Sequence, residues 1–194
     1  MEKYKDGTII PIGDNDFLVW DQGVRKGGMM NVPVMQKNLL DFKRIMDKYN
    51  IRFMPIFGTL LGLIRQGDVI PYDTDSDFAC WAEDHRKMEG VISDLKELGF
   101  YIPDRNACPL QDHFIIREGE KIELWWFIKI DKERIYSDTI GYKEEFFNNT
   151  KTIQYLNETW KIPQNPEEFL NVTYGPTWVT PDPTAIYKLN RKVK

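Results

Sequence analysis

The chain has 194 residues, of which 42% are hydrophobic and 29% charged, the size and composition of one folded domain, which excludes wholesale disorder. Thirty Asp and Glu against 26 Lys and Arg leave a formal charge of −4. That balance argues against a nucleic-acid partner, so nucleotides or phosphates need a metal ion or a local cationic cluster to bind. No stretch approaches the roughly 18 apolar residues of a membrane span, and residues 1–13 lack a signal-peptide apolar core. Cys80 and Cys108 are too few for a disulfide framework or a zinc knuckle and are expected to be reduced. Sequons at Asn148, Asn157 and Asn171 fall in an Asn- and Thr-rich sequence and are not read as glycosylation sites. The expectation is a soluble, cytoplasmic protein.

Residues 1–32, rich in Gly and Asp, read as an irregular arm with short strands, 33–182 as the folded domain and 183–194 as a basic tail. Met35, Leu39, Phe42, Ile45 and Met46 keep the three-and-four spacing of an amphipathic helix ending near Tyr49-Asn50. Residues 51–57 form an apolar run of strand type, interrupted by Pro55. Gly58-Thr59 breaks that run, and Leu60 to Arg65 reads as a short helix. A loop bracketed by Gly67 and Pro71 leads to a strand in the second half of Asp73 to Trp81. A helix is predicted over 83–98, closed by Gly99. Strands are predicted at 100–102, 113–117 and 121–130, and a last helix at about Pro166 to Tyr174, stopped by Gly175-Pro176. Helices and strands alternate, so the predicted fold is an α/β or α+β single domain built on a sheet.

The chemistry concentrates between Gly58 and Asp77. On a strand, Asp75 and Asp77 point to one face with α-carbons about 7 Å apart, and Asp73 lies two residues earlier. Paired carboxylates repel and need a cation. Oxygen-only ligands favour Mg²⁺ or Mn²⁺. An EF-hand loop is excluded, because Phe78 and Asp84 stand where its Gly and Glu belong. The Gly58-Thr59 turn, between a strand and a helix, can bring backbone amides and a hydroxyl against a phosphate, which requires no side chain at position 58 and allows a positive φ there; the alternative is that Gly58 ends the strand and Thr59 caps the following helix. Arg65 can pair with a phosphate through its planar fork or hold Asp73 or Asp77 in place. Of Trp125 and Trp126, on alternate faces of one strand, one is expected in the core and the other beside the site. His113 reads as structural.

The run Gly58-Thr59-Leu60-Leu61-Gly62-Leu63-Ile64-Arg65, followed by Ile70-Pro71-Tyr72-Asp73-Thr74-Asp75-Ser76-Asp77, resembles the signature of the LicD and fukutin-type phosphotransferases of the nucleotidyltransferase superfamily. That family usually reads Gly-Thr-Leu-Leu-Gly-x-x-Arg and then Ile-Pro-Trp-Asp-Asp-Asp-Ile-Asp. Ile162-Pro163, Pro166 to Leu170 and Tyr174-Gly175-x-x-Trp178-x-x-Pro181 resemble its closing segments, so the resemblance covers about residues 35–181. Tyr72, Thr74 and Ser76 depart from the family pattern, while Asp75 and Asp77 keep it.

The resemblance implies a nucleotidyltransferase-like mixed sheet flanked by helices. It also implies a third metal carboxylate on a later strand, best matched by Glu123 in Ile122-Glu123-Leu124-Trp125, with Asp131 as the rival in a solvated turn. The implied activity is metal-dependent transfer of a phospho-alcohol group, such as phosphocholine or ribitol phosphate. The donor is CDP-linked and the acceptor a hydroxyl of a glycan or polyol. Asp75, Asp77 and Glu123 would hold the metal and act in catalysis, with Gly58, Thr59 and Arg65 on the donor phosphates and Asp73 in support. The alternatives are nucleotidyl transfer from a nucleoside triphosphate with release of pyrophosphate, or a non-catalytic nucleotide-binding module.

Overall fold

The computed structural model describes residues 7–12, 15–20, 29–102, 113–137 and 140–181. Cys108, residues 1–6, 13–14 and 21–28 of the expected N-terminal arm, and the tail at 183–194 lie outside the described residues. Strands β1 (Gly7–Ile12) and β2 (Asn15–Trp20) pair antiparallel in a ribbon of their own. The domain follows with α1 (Val32–Lys48), β3 (Phe53–Pro55), α2 (Phe57–Gln66) and β4 (Asp75–Trp81). A 3₁₀ segment, Ala82–Lys87, leads into α3 (Met88–Glu97), then β5 (His113–Arg117), β6 (Glu120–Ile130), β7 (Glu133–Ser137) and β8 (Ile140–Lys143). A short α4 (Glu145–Asn148), the hairpin β9 (Thr150–Tyr155) and β10 (Glu158–Pro163), and α5 (Pro166–Tyr174) complete the described chain. No helix among the described residues is long and apolar enough to cross a membrane.

The main sheet is mixed and six-stranded, in the order β3-β4-β6-β7-β8, with β5 also paired to β6. Strand β4 runs parallel to β6, and every other pair in this sheet is antiparallel. Pro55 is tolerated because β3 is an edge strand, where a missing N–H breaks no ladder. The 11-residue β6 holds the sheet together, giving its first part to β4 and β5 and its last three residues to β7.

Alternation along the strands feeds two cores. Phe78 and Cys80 of β4, with Ile122, Leu124 and Trp126 of β6, pack against Met35, Leu39, Phe42 and Met46 of α1 and Val91 and Leu95 of α3. Ala79, Trp81 and Phe127 face the other way, toward Leu60 of α2, Phe147 of α4 and Phe169 and Leu170 of α5. The stripe predicted for α1 is the stripe it buries, and the helix starts at a cap in which Asn31 Oδ1 accepts from Val34 N. The last helix covers the predicted Pro166–Tyr174, followed by Gly175 at φ 82°.

Four expectations are corrected. The strand predicted over 51–57 shrinks to three residues, because Leu60 N donates to Ile56 O and closes a helical turn early; Gly58 and Thr59 therefore lie inside the first turn of α2. The single helix predicted over 83–98 is split. Asp84 accepts from the amide and guanidinium of Arg52 and from Lys87 Nζ, pinning residues 82–87 as a tighter 3₁₀ turn. Residues 100–102 contribute only a bridge between Tyr101 and Ile116. Finally, β7 to β10 and α4 carry no helix or strand in the sequence reading. The β9–β10 hairpin turns through Leu156 and Asn157, both at positive φ (54° and 59°), without the Asn-Gly or Asp-Gly pair that announces such a turn.

Ser76 alternates onto the α1/α3 face of β4, beside Ile122 in the ladder. Its hydroxyl is fully buried and has no hydrogen-bond partner among the described residues. A buried hydroxyl without a partner carries its desolvation cost uncompensated, so Ser76→Ala is expected to raise stability by about 1 kcal/mol. Urea unfolding of the two proteins measures this, and an equal or lower stability would contradict it.

Candidate metal centre

The parallel register of β4 and β6 sets Asp75 opposite Lys121 and Asp77 opposite Glu123. All four side chains leave the sheet on its α2 face, since residues two apart on a strand share a face. Asp75, Asp77 and Glu123 each offer a carboxylate oxygen within 4.8 Å of the others. Asp77 and Glu123 are buried, at 8% exposure each, and Asp75 is half-buried. Asp131, the rival third carboxylate, sits exposed at φ 53° in the β6–β7 turn, away from this cluster.

Helix α2 is locked to β4 at this point. Ile56 N donates to Asp77 O (3.1 Å), and Asp77 N donates to Thr59 Oγ1 (2.7 Å), so both backbone polar groups of Asp77 are held by the start of the helix. Thr59 thus is not the N-cap of α2, a position held by Ile56, nor an idle turn residue; its oxygen fixes the backbone of a cluster member. The positive φ considered for Gly58 falls on Phe57 instead (45°), a strained conformation for an aromatic residue. Gly58 is needed for another reason: a Cβ there would overlap the Asp73 carboxylate. Asp73, 7% exposed, also accepts from Thr74 N at 2.9 Å.

Trp125 and Trp126 divide as their alternation predicts. Trp126 is buried in the α1/α3 core, whereas Trp125 donates from Nε1 to Asp77 Oδ1 at 2.9 Å. Phe57 packs edge-on against the Trp125 ring, with centroids 5.1 Å apart. Arg65 donates from Nη2 to Tyr72 OH (2.9 Å), and its buried Nε has no hydrogen-bond partner among the described residues. The His113 side chain lies outside the described residues. Sequence reasoning missed Lys121, whose Nζ lies 2.8 Å from Asp75 Oδ2 and 2.9 Å from Glu123 Oε2. The available signal was a lysine two residues before Glu123 on the same strand face.

The electrostatics follow from burial and like charge. Burial, and then the neighbouring charges of Asp75, Glu123 and Asp73, push the Asp77 carboxyl well above the usual carboxylate range, opposed by the Trp125 hydrogen bond. Burial works to lower the Lys121 ammonium, but Asp75 and Glu123 overcome it and hold the group above the ordinary lysine range. The donor set is a compact, all-oxygen group with excess negative charge. That suits a hard divalent ion, and Asp75, Asp77 and Glu123 can hold one.

A mixed sheet flanked by helices, with a carboxylate pair opening one strand and a third carboxylate on the neighbouring strand, defines a nucleotidyltransferase-type domain. A family model described as LicD/FKTN/FKRP, nucleotidyltransferase domain, matches residues 50–165, and the chain belongs to that family. The chain is 26% identical over 137 residues to an uncharacterized protein of Rickettsia typhi, covering 70% of this chain and 40% of that protein. It is 23% identical over 146 residues to the Homo sapiens ribitol 5-phosphate transferase FKRP, covering 68% of this chain and 29% of that protein. The chain therefore spans well under half the length of these curated relatives. Among solved structures, ANT(2")-Ia in complex with adenylyl-2"-tobramycin aligns at TM-score 0.49 and 11% identity, over 67% of this chain and 69% of that one. The lincosamide antibiotic adenylyltransferase LnuA aligns at TM-score 0.48 and 10% identity, over 77% and 86%.

Two outcomes test this geometry. Thr59→Val removes the acceptor of the Asp77 amide and is expected to cost about 1–3 kcal/mol of stability, whereas Thr59→Ser keeps most of it; chemical denaturation measures both. The second concerns Asp77, whose folded-state pKa is raised above the ordinary 3.8. The folded state therefore holds this proton more tightly than the unfolded chain does. Stability linked to it is present below the unfolded value and is lost as pH rises through the folded one. Asp77→Asn keeps an oxygen for Trp125 and abolishes that loss. In chelator, its melting temperature should exceed that of the wild type by a margin that widens from about pH 4 toward neutrality; a margin independent of pH would contradict this.

Proposed function

We propose that this domain transfers a phospho-alcohol group, such as phosphocholine or ribitol phosphate, from a CDP-linked donor to a hydroxyl of a glycan or polyol acceptor. The observation that carries the reading is the convergence of Asp75, Asp77 and Glu123 on one sheet face beside the start of α2. Family membership and the relative named ribitol 5-phosphate transferase FKRP support a transferase of this kind. The catalytic unit is taken as residues 33–182.

Asp75, Asp77 and Glu123 would hold Mg²⁺ or Mn²⁺, which supplies positive charge against the donor diphosphate. The first amides of α2, at Gly58 and Thr59, have no partners within the helix and suit a phosphate oxygen, aided by the positive end of the helix dipole. The Arg65 guanidinium, anchored on Tyr72, would offer its positive charge to phosphate. Asp73 is a supporting residue whose carboxylate fills the space that Gly58 leaves open. The acceptor oxygen attacks the phosphorus that bears the alcohol. A new P–O bond forms there while the bond to the bridging oxygen breaks, and CMP leaves with that electron pair. A carboxylate of the cluster takes the acceptor proton, which requires a carboxylate ionised in the loaded site.

The deciding experiment incubates the protein with CDP-linked alcohols, acceptor and Mg²⁺ or Mn²⁺, and follows CMP. Asp75→Asn and Asp77→Asn should each lower CMP release by about a thousandfold or more with the fold retained. Glu123→Gln should raise the metal concentration needed for half-maximal rate, while Asp131→Asn leaves it unchanged. Pyrophosphate released from CTP in place of CMP would assign nucleotidyl transfer, and release of neither would assign a binding module.

A further inference from the structure

Lys121 stands directly across the ladder from Asp75 and on the same face of β6 as Glu123. Its Nζ lies 2.8 Å from Asp75 Oδ2 and 2.9 Å from Glu123 Oε2, and the side chain is only 16% exposed. The ammonium also lies 4.8 Å from the centroid of the Phe114 ring. An ammonium has three hydrogens and no acceptor. Here they face two carboxylates from different strands and an aromatic π-system. A monovalent cation thus already bridges two of the three carboxylates that converge at the candidate metal centre.

A divalent ion drawing on Asp75 and Glu123 would lie within a few ångströms of this ammonium. In a half-buried site such like-charge repulsion is far stronger than in water. The lysine stem is flexible enough to carry its head elsewhere, whereas the paired strands fix the backbones that carry Asp75 and Glu123.

We propose that Lys121 is an internal counter-ion that competes with the divalent ion for Asp75 and Glu123, so that metal loading releases its ammonium from the cluster. This inference rests on the metal-dependent reading above. In the metal-free protein the ammonium offsets the repulsion between β4 and β6. Metal uptake is then favoured when an anionic donor arrives with it, because the phosphates give the released ammonium another anion.

Lys121→Met keeps the length and apolar stem and removes the charge. Mn²⁺ binding to the donor-free full chain, measured by calorimetry, should be at least about tenfold tighter in Lys121→Met than in the wild type. A purely structural role would weaken Mn²⁺ binding or leave it unchanged, and either result overturns the proposal. If Lys121→Met does not fold in chelator, the wild type answers instead. In lysine-¹³C-labelled protein, the Lys121 side-chain signal, assigned with Lys121→Arg, should move in step with Mg²⁺ occupancy. A Lys121 signal unmoved at saturating Mg²⁺ overturns the competition. Failure of the underlying reading looks different: no Mn²⁺ binding to either protein, or binding that survives in Asp75→Asn and Asp77→Asn, removes the metal centre and this proposal with it.

Discussion

The parallel pairing of β4 with β6 is the constraint on which the rest of the site depends. Three carboxylates can share one small volume only if two strands present them at matched heights on the same face. The ladder does this by placing Asp75 against Lys121 and Asp77 against Glu123. A slip of one residue would turn the carboxylates of β4 into the apolar α1/α3 core and move Phe78 and Cys80 to the face that carries the acidic cluster. The two apolar cores therefore enforce the register, and the register assembles the charges.

Holding the charges together is costly, and the structure offsets the cost locally. The Lys121 ammonium joins Asp75 to Glu123, Trp125 donates to Asp77, and Thr74 N donates to Asp73. The backbone of Asp77 is tied on both sides to the first turn of α2. That turn begins with Phe57 at positive φ, a strained conformation retained where its ring supports Trp125. The residues of the family motif have packing and anchoring roles of their own. Gly58 makes room for Asp73, Thr59 anchors Asp77, and Gly62 lets α2 lie against the backbone at Asp68.

The periphery serves the same sheet. Strands β9 and β10 add Tyr155 and Trp160 to the α1/α3 core, and Tyr155 OH donates to Asp68 Oδ1 at 2.6 Å, close to the end of α2. Asp68 also accepts from Gln36 of α1 at 2.9 Å, so one carboxylate joins α1, the hairpin and the loop that leads to Asp73. On the other face α5 covers α2, stacking Phe169 against Tyr142 of β8 at 4.5 Å between centroids. The LicD/FKTN/FKRP family model matches residues 50–165, and α1 and α5, which lie outside that span, complete the two cores that flank the acidic cluster.

Much of this was legible in the residues alone. The stripe of α1, the ends of α5 at Pro166 and Gly175, the strand from Asp75 and the shared face of Asp75 and Asp77 are local properties, set by side-chain period, Pro, Gly and alternation. The motif likewise pointed to Glu123 as the third carboxylate. What the sequence could not determine is long-range. The hairpin turn at Leu156-Asn157 has no standard turn signal, and the 3₁₀ segment after β4 is set by Asp84 meeting Arg52, 32 residues away. The anchoring of Asp77 by Thr59 joins residues 18 apart, and the bridge from Lys121 to Asp75 spans two strands separated by a crossover. Sequence pattern determines which residues are apolar, charged or capping, because those are properties of short segments. Which carboxylate meets which cation is decided only when β4 and β6 lie side by side, because charge pairing depends on distance in space.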